Sequence, residues 1–356
     1  PLFHFDNRIL AYFGCDLYEA IMATELKGDK TYFMPFNQGS NGAGNVGGAG
    51  NPPSEDGDYA TSYLWKKVLR RDVLLAILQR YIMRQEETTI SLIMDKHGKE
   101  KEVKHTSTKI IFPRYHQLDA VEKLIHDTAK NGAGKNYLIQ HSAGSGKSNS
   151  IAWLTYRLAS LHNSENTNIF NGVFVITDRR VLNHQLQNTI LGFEHVEGAV
   201  TTITEKDANA SEKLKEAINA EKTGIVITTL QRFPQIYQEV NRQGGKNYAI
   251  VVDEAHSSQS GKSAEKLKAA LADTDEALKE MAEWEDKTVE ELEKEQDALM
   301  LDLLSQGQHG NLSFYAFTAT PKPKTLQTFG EKIPNAKEGE PQYKAYHNYS
   351  MLQAIE

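Results

Sequence analysis

YLIQHSAGSGKSNSIAWL, from Tyr137 to Leu154, decides the reading of this chain. Tyr137 to Gln140 is a short apolar run with the length of a buried strand. A Gly-Ser turn follows, and from Lys147 to about Ala159 the composition is that of a helix, with no Gly or Pro. A strand, a glycine loop and a helix in that order form a cradle for phosphate. The strict pattern G-x-x-x-x-G-K-[ST] wants Gly where His141 stands, so the match is partial. What remains is the part that binds. Gly144 and Gly146 let the backbone turn its N–H groups inward, Lys147 sets a cation beside the β and γ phosphates, and Ser148 offers a hydroxyl to Mg²⁺. The helix N-terminus adds its own preference for anions. The expected ATP-binding set in this loop is Ala143, Gly144, Ser145, Gly146, Lys147 and Ser148.

Two nearby segments imitate the loop and fail. NGAGKN (Asn131 to Asn136) has Asn136 where Ser or Thr is needed and leads into a strand. The run Gly39 to Gly50 has neither a preceding apolar strand nor the lysine.

Downstream, the rhythm alternates between apolar runs and helical or polar segments. VFVIT (Val173 to Thr177), IVITT (Ile225 to Thr229), AIVVD (Ala249 to Asp253) and SFYAFT (Ser313 to Thr318) read as further buried strands. Upstream, Tyr115 to Thr128 reads as a helix. Short continuous apolar strands separated by crossovers predict a parallel sheet covered by helices on both faces. The strand ending at Asp253 carries the second chemical signal, YAIVVDEAHSSQSGK. The Asp253 carboxylate is placed to hold Mg²⁺ through its water shell, and Glu254 to orient and deprotonate the attacking water. With Lys147 these are the expected catalytic residues, and Ser148 with Asp253 the expected metal set.

Weaker signals fall around these two. In PRYHQLDA, Gln117 suits bidentate pairing with adenine, with Arg114 supporting the pocket. VITDRRVLNHQ ends a strand with Arg179 and Arg180, suited to backbone phosphates of nucleic acid, and ITTLQRF places Thr228, Thr229 and Arg232 in the same manner. FTATPKP offers Thr318 and Thr320, which with His256 would couple the ATP site to nucleic acid.

A formal net charge of −7 argues against nucleic acid until it is located. Lys262 to Asp302 holds 14 acidic and 6 basic residues, a net of −8, which leaves the remainder at +1. That acidic stretch, rich in Ala, Leu, Glu and Lys, predicts an antiparallel helical insertion over 262–306, read as a solvated surface feature. No apolar stretch approaches the ~20 residues that span a bilayer, and no basic-then-apolar leader is present. The single cysteine, Cys15, excludes an internal disulfide and fits a reducing cytoplasm.

Residues before Tyr115 carry less chemistry. Thr31 to Phe36 is strand-like, and GSNGAGNVGGAGNPP (Gly39 to Pro53) cannot bury a core and is expected flexible or docked as irregular backbone. Tyr59 to Arg84 has helical spacing at Leu64, Val68, Leu75 and Leu78. Thr88 to Met94 and Thr108 to Phe112 flank a turn at His97-Gly98 and predict a hairpin.

Taken together, the chain resembles superfamily 2 helicases, and more narrowly the R subunit of type I restriction-modification enzymes. The narrower likeness rests on MPFNQGSNGAGNVGGAGNPP, YATSYLWKKVLRRDVLLAILQRYI, IIFPRYHQLDAVEKL running into HSAGSGKS, VITDRRVLNHQLQ, VVDEAHSSQSGK and FTATPKPKTLQTFG. It implies a RecA-like α/β fold of the P-loop NTPase kind, with an N-terminal α+β extension over 1–105 and a first motor domain over 106–356. It also implies an ATP-driven double-stranded DNA translocase joined to a nuclease and assembled with specificity and methyltransferase subunits. The family's nuclease ends in D…E-x-K. Glu25-Leu26-Lys27, preceded by Asp6 and Asp16, lacks the strand context, so nuclease activity is not expected in these residues. A second RecA-like domain is expected beyond Glu356. Its arginine finger is worth roughly 10³–10⁵ in rate in related enzymes, so these residues alone are expected to bind ATP and turn it over slowly. Two other readings stay open, a different DEAH-type helicase or remodeller, and a nucleotide-dependent interaction module without DNA affinity of its own.

Overall fold

The computed structural model describes residues 9–94, 100–177, 180–193, 198–203, 207, 209–220, 223–229, 232, 236, 240, 245–253, 310–337 and 340–355. The chain forms two compact units, one of residues 1–43 and 47–118, the other of 44–46 and 119–355.

The first unit is built from short pieces. Strands β1 (Tyr12–Cys15), β2 (Ala20–Ala23) and β3 (Met34–Pro35) make an antiparallel sheet with Tyr12 opposite Ala23. The strand expected over Thr31 to Phe36 is reduced to Met34–Pro35, with the Phe36 N–H still donating to the Ala20 carbonyl of β2 at 2.8 Å. The Phe36 side chain is fully buried and meets Phe13 and Tyr115 edge-on at 5.1 and 5.7 Å. Asp16 closes the β1–β2 turn by accepting the Glu19 and Tyr18 N–H groups, each at 2.7 Å, and these bonds hold its carboxyl below the usual range.

The Gly/Asn segment is docked. Gly39 and Gly50 pair through the backbone at 2.8 Å, and Ser40 with Gly48 at 2.9 Å. Asn51 anchors the segment: its amide donates to the Tyr18 carbonyl and to Asn37 Oδ1, each at 2.9 Å, while its own carbonyl accepts from the Gln38 N–H at 2.8 Å.

The helix expected from Tyr59 to Arg84 is interrupted. A π-helical turn, Leu64–Val68, closes with Leu69 N–H on the Leu64 carbonyl at 2.8 Å. Arg70 is extended, and α1 (Arg71–Arg80) begins anew. Tertiary anchors on either side explain the break. Tyr63 is tied to the Phe36 carbonyl at 2.7 Å, and Lys67 reaches the Tyr115 hydroxyl at 3.1 Å. Asp72 in the first turn of α1 favours a new helix start there. Strands β4 (Met83–Met94) and β5 (Glu100–Ile111) form the expected hairpin with longer arms, Met83 facing Ile111 and Met94 facing Glu100.

Helix α2 (Tyr115–Asn131) begins in the first unit, and the division falls after Leu118. The second unit then builds the sheet from β6 (Tyr137–His141), β7 (Gly172–Thr177), β8 (Val200–Thr202), β9 (Gly224–Thr229), β10 (Tyr248–Val252) and β11 (Leu312–Thr318). Helices α3 (Lys147–Ala159), α4 (Arg180–Gly192), α5 (Ala210–Asn219) and α6 (Pro323–Phe329) lie between or after these strands. A small antiparallel pair, β12 (Glu331–Lys332) with β13 (Tyr343–Lys344), precedes β14 (His347–Tyr349) and α7 (Met351–Ile355). The spatial order is β14-β6-β11-β10-β7-β9-β8, and every pairing is parallel.

Central strands buried along their whole length show why the apolar runs predict this sheet. Leu138, Phe174, Ile176, Val226, Ile250, Phe314 and Ala316 pack on one face with Leu214 and Ile218 of α5 and Phe329 of α6. On the other face α2, α3 and α4 knit together: Arg157 bonds Glu122 at 2.6 Å, the Tyr156 hydroxyl donates to the Ile190 carbonyl at 2.9 Å, and Trp153 meets Phe193 at 5.7 Å. This is the α/β parallel sheet flanked by helices that the sequence implies, a P-loop NTPase fold. The short strands β8 and β14 have no counterpart in the sequence reading; each has only three residues. The helical insertion expected over 262–306 lies outside the described residues. No described helix is long and apolar enough to cross a membrane.

Candidate nucleotide site

Because every strand of the large sheet is parallel, all their C-terminal ends share one edge, where ligands of open α/β sheets bind. His141, Thr177, Thr229 and Thr318 end β6, β7, β9 and β11 there, and Asp253 follows β10.

The phosphate loop occupies the end of β6. Gly144 has φ +76° and Gly146 φ +77°, left-handed conformations that an L side chain strains to adopt. Gly146 is also the N-cap of α3, so Lys147 and Ser148 form its first turn, where backbone N–H groups face outward along the helix axis. Gly146 O accepts from the Asn149 and Ser150 N–H groups at 3.1 and 3.3 Å, which fixes that turn. Ala143 and Gly144 are exposed, Ser145 is buried, and Lys147 and Ser148 are half-buried at the rim. The root of the loop is held by β14: Ser142 N–H donates to the Tyr349 carbonyl at 3.0 Å.

Asp253 lies on the same edge, anchored by its N–H on the Ile176 carbonyl at 3.0 Å. β11 separates β10 from β6, so the Asp253 and phosphate-loop strands stand roughly 10 Å apart, two strand spacings. β11 fills the space between them, so a bound metal ion would sit beyond its end, past Thr318. A serine hydroxyl and a carboxylate on its two sides are hard oxygen donors of the kind Mg²⁺ takes, usually while keeping several waters. The residues present fit MgATP.

Thr318 is fully buried at the end of β11, and Thr320 is exposed two residues later. Thr228 and Thr229 are buried on opposite faces of β9, and the Arg232 guanidinium bonds the Ser211 hydroxyl at 3.2 Å. Arg180 is the first residue of α4. Glu254, His256 and Arg179, and the side chain of Arg180, lie outside the described residues.

Arg114 and Gln117 belong to the first unit. Gln117 is buried, and its side-chain carbonyl accepts the Arg114 N–H at 2.8 Å, capping the start of α2 and holding the amide in one orientation. In the same unit, Glu25 and Lys27 pair with each other at the surface at 2.9 Å, while Asp16 is engaged in its turn. Asp6 lies outside the described residues.

The sequence reading missed β14. Its His347 bonds His141 of the phosphate loop at 2.9 Å, across 206 positions of chain, and no local pattern marks such a partner.

Residues 116–276 match the family model of the SWI2/SNF2 ATPase. No curated protein matches the chain. Among solved structures, the chain is similar to the helicase domain of Hef from Pyrococcus furiosus, at 14% identity and a TM-score of 0.35, covering 59% of this chain and 34% of that one. It is also similar to a hypothetical ATP-dependent RNA helicase from Sulfolobus tokodaii, at 16% identity and a TM-score of 0.31, covering 62% and 56%. The chain thus spans about a third of the first and just over half of the second. The fold rests on the strand order above and not on these overlaps. With a phosphate loop at the C-terminal edge of a parallel sheet and the ATPase match running through it, the second unit has the build of an ATPase motor domain.

Proposed function

We propose that this chain is the nucleotide-binding half of an ATP-driven double-stranded DNA translocase, within the R subunit of a type I restriction-modification enzyme. The observation that carries the motor reading is the pair of left-handed glycines, Gly144 and Gly146, delivering Lys147 and Ser148 to the sheet edge that also carries Asp253. The narrower reading rests on the sequence likeness, above all on the Gly/Asn segment, which is not a general helicase feature. That segment is ordered rather than a linker, pinned by Asn51 and by the Gly39–Gly50 pair.

In this reading Lys147 neutralises charge on the β and γ phosphates, and Ser148 and Asp253 hold Mg²⁺. The metal supplies charge neutralisation across the phosphates. Glu254 takes the proton of a water that attacks the γ phosphorus, and ADP leaves. Adenine recognition is assigned to Gln117 and Arg114 from the sequence pattern alone. DNA contact is assigned by the sequence pattern to Arg179, Arg180 and Arg232, with Thr228 and Thr229 buried at the end of β9, and coupling of the two sites to His256, Thr318 and Thr320. The specificity and methyltransferase subunits supply sequence recognition, and the protein works in the cytoplasm.

Displacement of a third strand from duplex DNA tests this directly. Assembled with its partner subunits and given ATP, the protein is expected to strip a triplex-forming strand while leaving the duplex paired. Strand separation, or hydrolysis stimulated by RNA, would favour another DEAH-type helicase. ATP binding with no salt-sensitive DNA affinity would favour an interaction module.

A further inference from the structure

His141 stands where the strict loop pattern has glycine, and it is not a bystander. Its ring is fully buried, with Phe317 of β11 at 6.4 Å, Tyr349 of β14 at 6.1 Å and His347 of β14 at 5.0 Å between centroids. His141 Nε2 lies 2.9 Å from His347 Nδ1, and His347 Nε2 lies 3.2 Å from Asp119 Oδ2. The carboxylate accepts only, so His347 donates from Nε2. With a neutral His347 ring, its Nδ1 accepts and His141 donates from Nε2. Lys123, one turn along α2, pairs with the same Asp119 oxygen at 2.7 Å and fixes the far end. Asp119 and His347 are both buried.

The His347 ring is also backed by glycine. A Cβ on Gly44 would sit 2.9 Å from His347 Cδ2, and the Gly44 carbonyl accepts the Asn348 N–H at 2.9 Å. This assigns a reason to one glycine of the Gly/Asn segment: at φ +83°, it closes over the ring. β14 therefore grips the loop root twice, through the Tyr349 carbonyl on Ser142 N–H and through His347 on the His141 side chain.

We propose that Asp119, His347 and His141 form a buried hydrogen-bonded relay that sets the phosphate loop for nucleotide, making His347 a positioning residue for ATP binding. This rests on the phosphate-loop reading. The physical need is general: a loop that binds phosphate through backbone N–H groups must be held in shape before the ligand arrives, and a glycine at its root would leave that task to the backbone alone. The side-chain relay takes it over and makes loop geometry depend on the docking of β14.

The test compares nucleotide affinity with thermal stability, using a fluorescent ATP analogue well below every melting temperature. His347→Ala is expected to weaken binding by about tenfold, as loss of an outer partner does at other pre-organised sites. His347→Gln, whose amide both accepts from His141 and donates to Asp119, is expected to restore most of the affinity. Lys147→Ala serves as reference. If Lys147→Ala binds normally, the phosphate-loop reading fails. If Lys147→Ala loses affinity while His347→Ala melts early but binds as the parent does, the relay is structural only and the proposal is overturned. Should His347→Ala fail to fold, ¹⁵N spectra of the parent decide. Both rings are expected as Nε2–H tautomers whose shifts move on nucleotide binding, and ring signals unmoved by saturating nucleotide overturn the proposal.

Discussion

The two units solve the problem of burial differently. The second buries whole apolar strands between two layers of helices, so that Phe174, Val226 and Ile250 are surrounded by side chains and need no polar partners. The first has a three-stranded sheet and a separate two-stranded hairpin, and leaves Tyr18, Tyr32, Tyr59 and Leu75 more than half exposed. It is held by side chains that bond to distant backbone: Thr61 on Asp16, Tyr63 on Phe36, Asn51 on Tyr18. Both units bury apolar side chains, and the first adds to its smaller aromatic core many directional bonds of modest net worth. The candidate nucleotide site sits at the edge of the second unit's parallel sheet.

The contrast can be broken at its strongest point first. Phe174→Ala removes a fully buried ring from the sheet core and is expected to destabilise the second unit by about 3–5 kcal/mol in denaturant unfolding. A loss under 1 kcal/mol would mean that the sheet is not the packed core described. Asn51→Ala is expected to cost the first unit less, about 1–2 kcal/mol. Its signature in hydrogen exchange is faster exchange at Gln38, with the β6 and β10 amides unaffected. Equal loosening of both units would erase the distinction.

The same contrast explains what the sequence made legible. Strands buried on both faces are written as continuous apolar runs, so β6, β7, β9, β10 and β11 can be read directly, and with them the loop and Asp253. The hairpin β4–β5 shows equally through its β-branched arms. The break in the helix at Arg70 could not be read, because the apolar spacing continues across it while Tyr63 and Lys67 are held by residues far away in sequence. Nor could β14, whose three residues show no apolar run and whose role comes from pairing with β6 and from the contact between His347 and His141. Local periodicity encodes what neighbours along the chain decide. Polar anchors are decided by the fold.

The central claim is that the loop from His141 to Ser148 binds the phosphates of ATP, and nucleotide titration of Lys147→Ala tests it most directly. The account predicts affinity lower by roughly 10- to 100-fold, the worth of one charge-assisted contact, with the melting temperature of the nucleotide-free protein unchanged. Affinity equal to that of the parent protein would contradict it.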